Sequence, residues 1–352
     1  MNFFSKKLLE WYNPDSRNLP WKQTKDAYKI WLSEIILQQT RVEQGTPYYH
    51  AFVKNFPTVQ QLAKAPLEDI LKLWEGLGYY SRARNLQVAA SEIMNLHNGK
   101  FPNTYENILK LKGVGSYTAA AISSFAFNLP YAVLDGNVFR VLSRVFGIET
   151  PIDSTEGKKQ FAHLAQSLLE KKQPALYNQA IMDFGALVCK PQQPLCNQCP
   201  FSSTCKALEQ NKINLLPVKS KKLIKNNRYL YYFVLFDNEN IFIRQRSDKD
   251  IWKGLFEFPC YESNQPIENH QQLFLFLKEN NIDALHSFNK GVFTYKQTLS
   301  HRHIHGFFYE IPLKRLSMVE NNWICIPKSA ISDYPYPKII RAYLEDRLLS
   351  LS

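Results

Sequence analysis

Long apolar runs are missing from this chain. No stretch approaches the roughly 20 apolar residues that span a bilayer, and the opening MNFFSKKLLEWYNP reads as a short amphipathic helix rather than a signal peptide. Membrane-spanning and exported classes are therefore set aside, and a soluble cytoplasmic protein is expected. Acidic residues are also in short supply. Against 43 Lys and Arg there are only 31 Asp and Glu, a net charge of +12, which favours a phosphate-rich partner over an acid-poor one. A disulfide framework is absent too, because four of the six cysteines crowd into residues 189–205 and an intracellular chain is kept reduced. Cys260 and Cys325 are left over and are expected to be buried core thiols.

What is present begins with two carboxylates. Glu34 lies inside the helical apolar run YKIWLSEIILQQT (28–40), with Ile30, Trp31 and Leu37 on neighbouring turns. A carboxyl so placed is desolvated and holds its proton. Asp135, in VLDGNVFRVLSRVFG, precedes a Gly and a second amphipathic helix, where backbone N–H groups and the helix dipole favour the ionised form. Two carboxyls whose surroundings separate their pKa values are suited to acid-plus-anion catalysis. A neutral acid protonates a departing base, and an anion supports the oxocarbenium charge left on a sugar.

Between them lies LKGVGSYTAAAISSFAF (111–127). Gly113 and Gly115 allow a close turn between two helices, with N–H groups free to meet a phosphate. The four cysteines Cys189, Cys196, Cys199 and Cys205 have the compact spacing of a metal site, and tetrathiolate zinc and an iron–sulfur cluster both fit it.

These residues resemble one family, the helix-hairpin-helix DNA glycosylases with an iron–sulfur cluster, and within it the MutY adenine glycosylase branch. The matching pieces are LPWK (19–22), IWLSEIILQQTRV (30–42), WEGLGYYSRARNL (74–86), LKGVGSYTAAAI (111–122), LDGNVFRVLSR (134–144) and GALVCKPQQPLCNQCPFSSTC (185–205), in the family's order. The resemblance implies that Glu34 protonates adenine and helps activate water. Asp135 would stabilise the cationic sugar, and Tyr117 and Asn137 would place these groups. It also implies a [4Fe–4S] cluster on the four cysteines. Gln39, Leu77 and Tyr79 would fill the space left when the base is flipped out of double-stranded DNA. The endonuclease III type places a Schiff-base lysine where this chain has Tyr117, so no efficient lyase step is expected.

The second half changes character. Residues 228–236, 240–246, 290–297 and 303–311 read as strands and 271–277 as a helix. IWKGLFEFP (251–259) resembles the Nudix-like domain at the C-terminus of that branch, without the glutamate-rich helix that a working phosphohydrolase needs. In the family this domain reads 8-oxoguanine through a Phe-Ser-His loop. Here the match is Leu299-Ser300-His301, so Ser300 and His301 carry over and the aromatic does not.

The expected protein is multi-domain. An all-α helix-hairpin-helix glycosylase domain, a six-helix barrel plus iron–sulfur lobe, occupies 1–212. A basic linker at 213–227 follows, with Lys219, Lys221, Lys222 and Lys225, and an α+β Nudix-like reader covers 228–352. The expected activity is monofunctional removal of adenine from A:8-oxoG or A:G mispairs by a monomer. The alternatives are an endonuclease III-like glycosylase/lyase for oxidised pyrimidines and a noncatalytic iron–sulfur DNA-binding protein, which would have no need of Glu34 and Asp135 together.

Overall fold

The computed structural model describes residues 2–220, 225–246, 250–282, 291–313 and 323–351. Lys221 and Lys222 of the expected linker, and residue 290 of an expected strand, fall outside these. The chain forms two compact units. One comprises Met1–Lys64 and Asn85–Lys222, the other Ala65–Arg84 and Leu223–Ser352. The segment 65–84 thus groups with the C-terminal part, although the sequence places it among the glycosylase helices.

The first unit is helical. It contains α1 (Phe3–Trp11), α2 (Ala27–Leu37), α3 (Val42–Asn55) and α4 (Val59–Lys64). After α5 (Leu67–Leu73), which belongs to the other unit, the chain enters α6 (Ser81–Leu96), α7 (Tyr105–Lys110), α8 (Ser116–Phe127), α9 (Gly136–Phe146), α10 (Thr155–Leu168), α11 (Pro174–Leu187) and the short α12 (Lys206–Glu209). Helix starts follow local chemistry. The side chains of Asn2, Asp26, Thr104, Asp135 and Ser154 each accept a backbone N–H at the N-terminus of α1, α2, α7, α9 and α10, an interaction typically worth about 1 kcal/mol.

Phe4, Val138, Phe161, Phe184 and Phe201 join α1, α9, α10, α11 and the cysteine-bearing segment in one core. α2 packs against α3 and α8 and is buried from Ala27 through Ile36 save for the half-buried Lys29. Glu34 is therefore enclosed because its whole helix is. The turn from α7 to α8 is the expected hairpin. Gly113 has φ +78°, and a Cβ there would lie 2.7 Å from Asn85 Cβ, so the close approach of that side chain requires glycine.

Among the described residues the second unit is built on seven strands: β1 (Asn226–Phe236), β2 (Asn240–Gln245), β3 (Phe256–Glu257), β4 (Cys260–Ser263), β5 (Phe293–Thr298), β6 (Arg302–Pro312) and β7 (Trp323–Pro327). α13 (Gln271–Glu279) and α14 (Lys338–Leu351) accompany them, together with α5. β1 is central. It runs parallel to β6 from Asn226↔Arg302 to Phe236↔Pro312 and antiparallel to β2 and β4. Both its faces are covered: Tyr231, Phe233 and Leu235 pack with Leu273 and Leu277 of α13, while Tyr232 stacks on Phe308, which stacks in turn on Tyr343 of α14. This explains the unbroken apolar run YLYYFVLF, since only a strand buried on both sides avoids alternation.

Glu257, Cys260 and Glu262 are close enough to hold a metal, but arginines already neutralise this corner. Arg246 reaches Glu257, Glu262 and Asp250, and Arg244 and Arg228 add further pairs. One expectation is corrected here. Cys260 is buried, but Cys325 is exposed, because it sits on β7, which pairs only with β2 among the described strands. No helix among the described residues is long and apolar enough to cross a membrane.

Candidate active site

The first unit contains a cleft of about 1090 Å³ lined by residues from the later turns of α2, the segments before and after it, α8, α9 and α11. Glu34, Gln39, Tyr117, Asp135 and Asn137 all line it, so three separate stretches of sequence meet there. Glu34 is 6% exposed. Burial pushes its carboxyl up to about 7, reinforced by repulsion from Asp135 and opposed by a hydrogen bond with the Tyr117 hydroxyl. At neutral pH a substantial fraction of Glu34 therefore carries a proton.

Asp135 has a different setting. It caps α9, its Oδ1 accepting the Val138 N–H at 2.8 Å and its Oδ2 the Asn137 Nδ2–H at 2.7 Å. The helix start does favour the anion, as do these donors and Arg140. Burial nonetheless outweighs them and leaves the carboxyl somewhat above its ordinary value rather than below it. The contrast between the two groups thus lies in donors: Asp135 has two firm ones plus a nearby guanidinium, and Glu34 has a single phenol.

The close packing of α11 on α9 fixes Asn137. A Cβ at Gly185 would meet Asn137 Cβ at 2.6 Å, so only glycine allows this approach. Arg140 then bridges outward. Its Nη2 donates to Asn137 Oδ1 at 2.8 Å and to the Gly185 carbonyl at 2.7 Å, and its Nε donates to the Cys189 carbonyl at 2.8 Å.

One turn later on α9, the buried Arg144 holds the same loop. It donates to the carbonyls of Lys190 at 2.7 Å, Pro191 at 3.1 Å and Leu216 at 3.1 Å, with Cys189 Sγ 3.6 Å away. The four thiols gather here. Cys199 is pushed up to about 11, first by burial and then by repulsion from Cys189, Cys205 and Cys196. Four thiols are a donor set that fits a tetrathiolate zinc and an iron–sulfur cluster alike.

Sequence reasoning missed part of the wall. Asp183 of α11 is fully buried and pairs with Arg17 Nη1 at 2.8 Å and Lys22 Nζ at 2.6 Å. Gln179 donates its amide N–H to the same carboxylate at 3.2 Å, which leaves its carbonyl oxygen as an acceptor. Arg17, Lys22 and Gln179 line the cleft. The signal was available: a carboxylate inside the apolar helical run AIMDFGALV is the same pattern that marked Glu34.

Of the other expected contacts, Gly113 and Gly115 form the α7–α8 turn, and Gln39 follows α2 with φ +62°. Leu77, Tyr79, Ser300 and His301 belong to the second unit. Tyr79 is 48% exposed but Leu77 only 7%, so Tyr79 alone of the pair is presented to solvent. Ser300 and His301 are exposed at the β5–β6 turn, with Ser300 Oγ 2.7 Å from the Tyr79 hydroxyl.

Residues 32–171 match the HhH-GPD superfamily of base excision DNA repair proteins, and residues 231–346 match the NUDIX domain. An adenine DNA glycosylase of Buchnera aphidicola subsp. Baizongia pistaciae is 39% identical over 91% of this chain and 89% of its own length. The adenine DNA glycosylase of Homo sapiens is 44% identical over 59% of this chain and 40% of its own. Among solved structures, a thermostable thymine-DNA glycosylase superposes with a TM-score of 0.55 at 32% identity, covering 59% of this chain and 95% of its own. An endonuclease III bound to DNA superposes at 0.52 with 21% identity, a likeness of fold alone. With two carboxyls in one cleft, four gathered cysteines and a full-length relative at this identity, the chain belongs to the adenine DNA glycosylase family.

Proposed function

We propose that this protein, a cytoplasmic monomer, hydrolyses the N-glycosidic bond of adenine mispaired with 8-oxoguanine or guanine in duplex DNA, without an efficient lyase step. The observation that carries this reading is the meeting, in one cleft, of a carboxyl protonated up to about pH 7 and a second carboxyl held by helix donors. Glu34 gives its proton to a ring nitrogen of adenine as the C1′–N9 bond breaks. The bonding electron pair leaves with the base, and positive charge develops on the sugar beside Asp135. Glu34, now anionic and hydrogen-bonded by Tyr117, takes a proton from the water that adds to C1′. The acid is thereby restored. Asn137 and Val138 keep both Asp135 oxygens oriented toward their task.

Two further features support the substrate. The Gln179 carbonyl accepts hydrogen bonds, which suits the 6-amino group of adenine and repels the O6 of guanine. Lys22, a cleft-lining amine, is committed to Asp183 and the Arg17 carbonyl, and a phenol at position 117 forms no imine. Adenine must leave the stack to reach Glu34, a step costing a few kcal/mol. Tyr79 and Gln39 fill the vacated space while Leu77 stays buried, and Ser300 and His301 read the opposite base. Cys189, Cys196, Cys199 and Cys205 would hold a [4Fe–4S] cluster, which when bound orders the 189–205 loop against the DNA backbone.

The test is single-turnover excision on defined duplexes. Adenine opposite 8-oxoguanine or guanine should be released and leave an abasic strand that breaks only after alkali or heat. Release of oxidised pyrimidines instead, or efficient borohydride trapping, would overturn the assignment in favour of an endonuclease III-like enzyme.

A further inference from the structure

The second unit holds a short loop with unusually dense anchoring. Residues 74–80, between α5 and α6, present Tyr79 to solvent on a backbone with φ +49°. A tyrosine in the left-handed region is strained and persists only where its surroundings hold it. From below, the Trp74 indole N–H and Arg82 Nη2–H both donate to the Gly78 carbonyl, at 3.0 and 3.1 Å, and the Arg82 guanidinium lies over the Trp74 and Tyr79 rings.

From the side, the loop is fastened to a segment more than 250 residues away in sequence. Glu75 Oε1 accepts the Tyr336 N–H at 2.8 Å, and Glu75 Oε2 accepts from Lys72 Nζ at 3.0 Å. Lys72 Nζ also donates to the Tyr334 carbonyl at 3.0 Å, and the Tyr80 hydroxyl donates to the Tyr336 carbonyl at 3.3 Å. The receiving segment is itself fixed, since Tyr336 is fully buried and the Pro335 carbonyl accepts the Phe256 N–H.

We propose that Glu75 is a positioning residue for the DNA-probing loop: through the Tyr336 N–H it uses the C-terminal segment 334–337 to preset the geometry in which Tyr79 enters the base stack. The proposal rests on reading the protein as a glycosylase that extrudes its target base. Glu75 touches neither base nor sugar in this scheme. Its contribution is to remove the ordering cost that a free loop would bear on binding. The Tyr79–Ser300 contact has the same consequence, because the loop that probes the stack and the turn that reads the opposite base then move together.

The experiment uses the full chain and a duplex carrying 2-aminopurine in place of the target adenine, whose fluorescence rises on unstacking. Glu75→Ala should give a smaller, slower fluorescence rise and slow single-turnover excision by roughly tenfold or more, the scale of one lost charge-assisted hydrogen bond. Glu75→Gln, which keeps an acceptor for the Tyr336 N–H, should recover most of the signal. Fluorescence and excision unchanged in Glu75→Ala would overturn the proposal, and so would a loss that Glu75→Gln does not rescue. Should Glu75→Ala fold poorly, Lys72→Met leaves the Glu75–Tyr336 bond in place but removes the amine that joins Glu75 Oε2 to the Tyr334 carbonyl, and it should shift the fluorescence in the same direction; an unchanged signal would count against the proposal. If wild-type protein released no adenine, the activity reading would fail, while the fluorescence comparison would still decide the role of Glu75.

Discussion

At the residue scale, Glu34 makes the sharpest demands. Its folded pKa of about 7 lies above the ordinary value of 4.5, so the folded state binds more protons than the unfolded one between those values. Stability therefore falls as pH rises from about 4.5 through 7, by up to about 3 kcal/mol. Glu34→Gln escapes this cost, and its unfolding midpoint in urea should exceed that of the wild type at pH 8 but not at pH 4.5. The same substitution should slow single-turnover excision by about 10²–10⁴-fold, the usual range for a general acid, and wild-type excision should decline as pH rises past about 7. A rate within about tenfold of wild type would show that another group donates the proton. Asp183 makes a different prediction. Asp183→Ala leaves Arg17 and Lys22 without their buried partner, which should cost about 3–5 kcal/mol in denaturant unfolding; a cost near zero would mean that both cations find water instead.

At the scale of elements, α9 joins the two halves of the first unit's chemistry. Its N-terminus carries Asp135 and Asn137, and Arg140 and Arg144 on later turns hold the segment that begins at Cys189. Protein purified without oxygen should contain iron and acid-labile sulfide in equal amounts, as one cubane cluster requires. A colourless preparation with a single zinc would contradict the cluster assignment. Cys199→Ser should weaken duplex binding more than it slows excision from saturated complex, because the role proposed for the site is to order a loop and not to act on the base. Elements of this kind were legible in advance. The cysteine spacing marked the loop that α9 holds and the Gly113 turn marked the hairpin, whereas Arg140 and Arg144 read in sequence as ordinary charges on an amphipathic helix. Their partners are carbonyls some 45 residues away, which no local pattern encodes.

At the scale of the whole molecule, the grouping of residues 65–84 with the C-terminal part changes how opposite-base reading should be tested. Deleting 228–352 would strip Glu75, Lys72 and Tyr80 of their partners as well as removing Ser300 and His301, so both discrimination and excision should fall. Point changes separate the two. Ser300→Ala with His301→Ala should narrow the preference for 8-oxoguanine over guanine by about 1–3 kcal/mol, the usual size of a lost base-edge contact, as measured by the ratio of excision rates on the two duplexes. Leu299→Phe should leave that ratio unchanged or raise it. An unaltered ratio in the double variant would place opposite-base reading elsewhere.

The local and the chemical were legible in the sequence: the apolar enclosure of Glu34, the capping position of Asp135, the cysteine spacing, and β1, β2, β5 and β6 within a few residues of their observed limits, though not the short β3, β4 and β7. These depend on neighbours one to four residues away, where periodicity and side-chain chemistry speak directly. Only the tertiary structure decided which distant groups meet. It set the balance by which burial outweighs the donors on Asp135, placed Cys325 on an exposed strand, drew Arg17, Lys22 and Gln179 around Asp183, and tied the Tyr79 loop to Tyr336. Each of these is a matter of desolvation or of a hydrogen bond across long sequence separation, and the chain must fold before either exists.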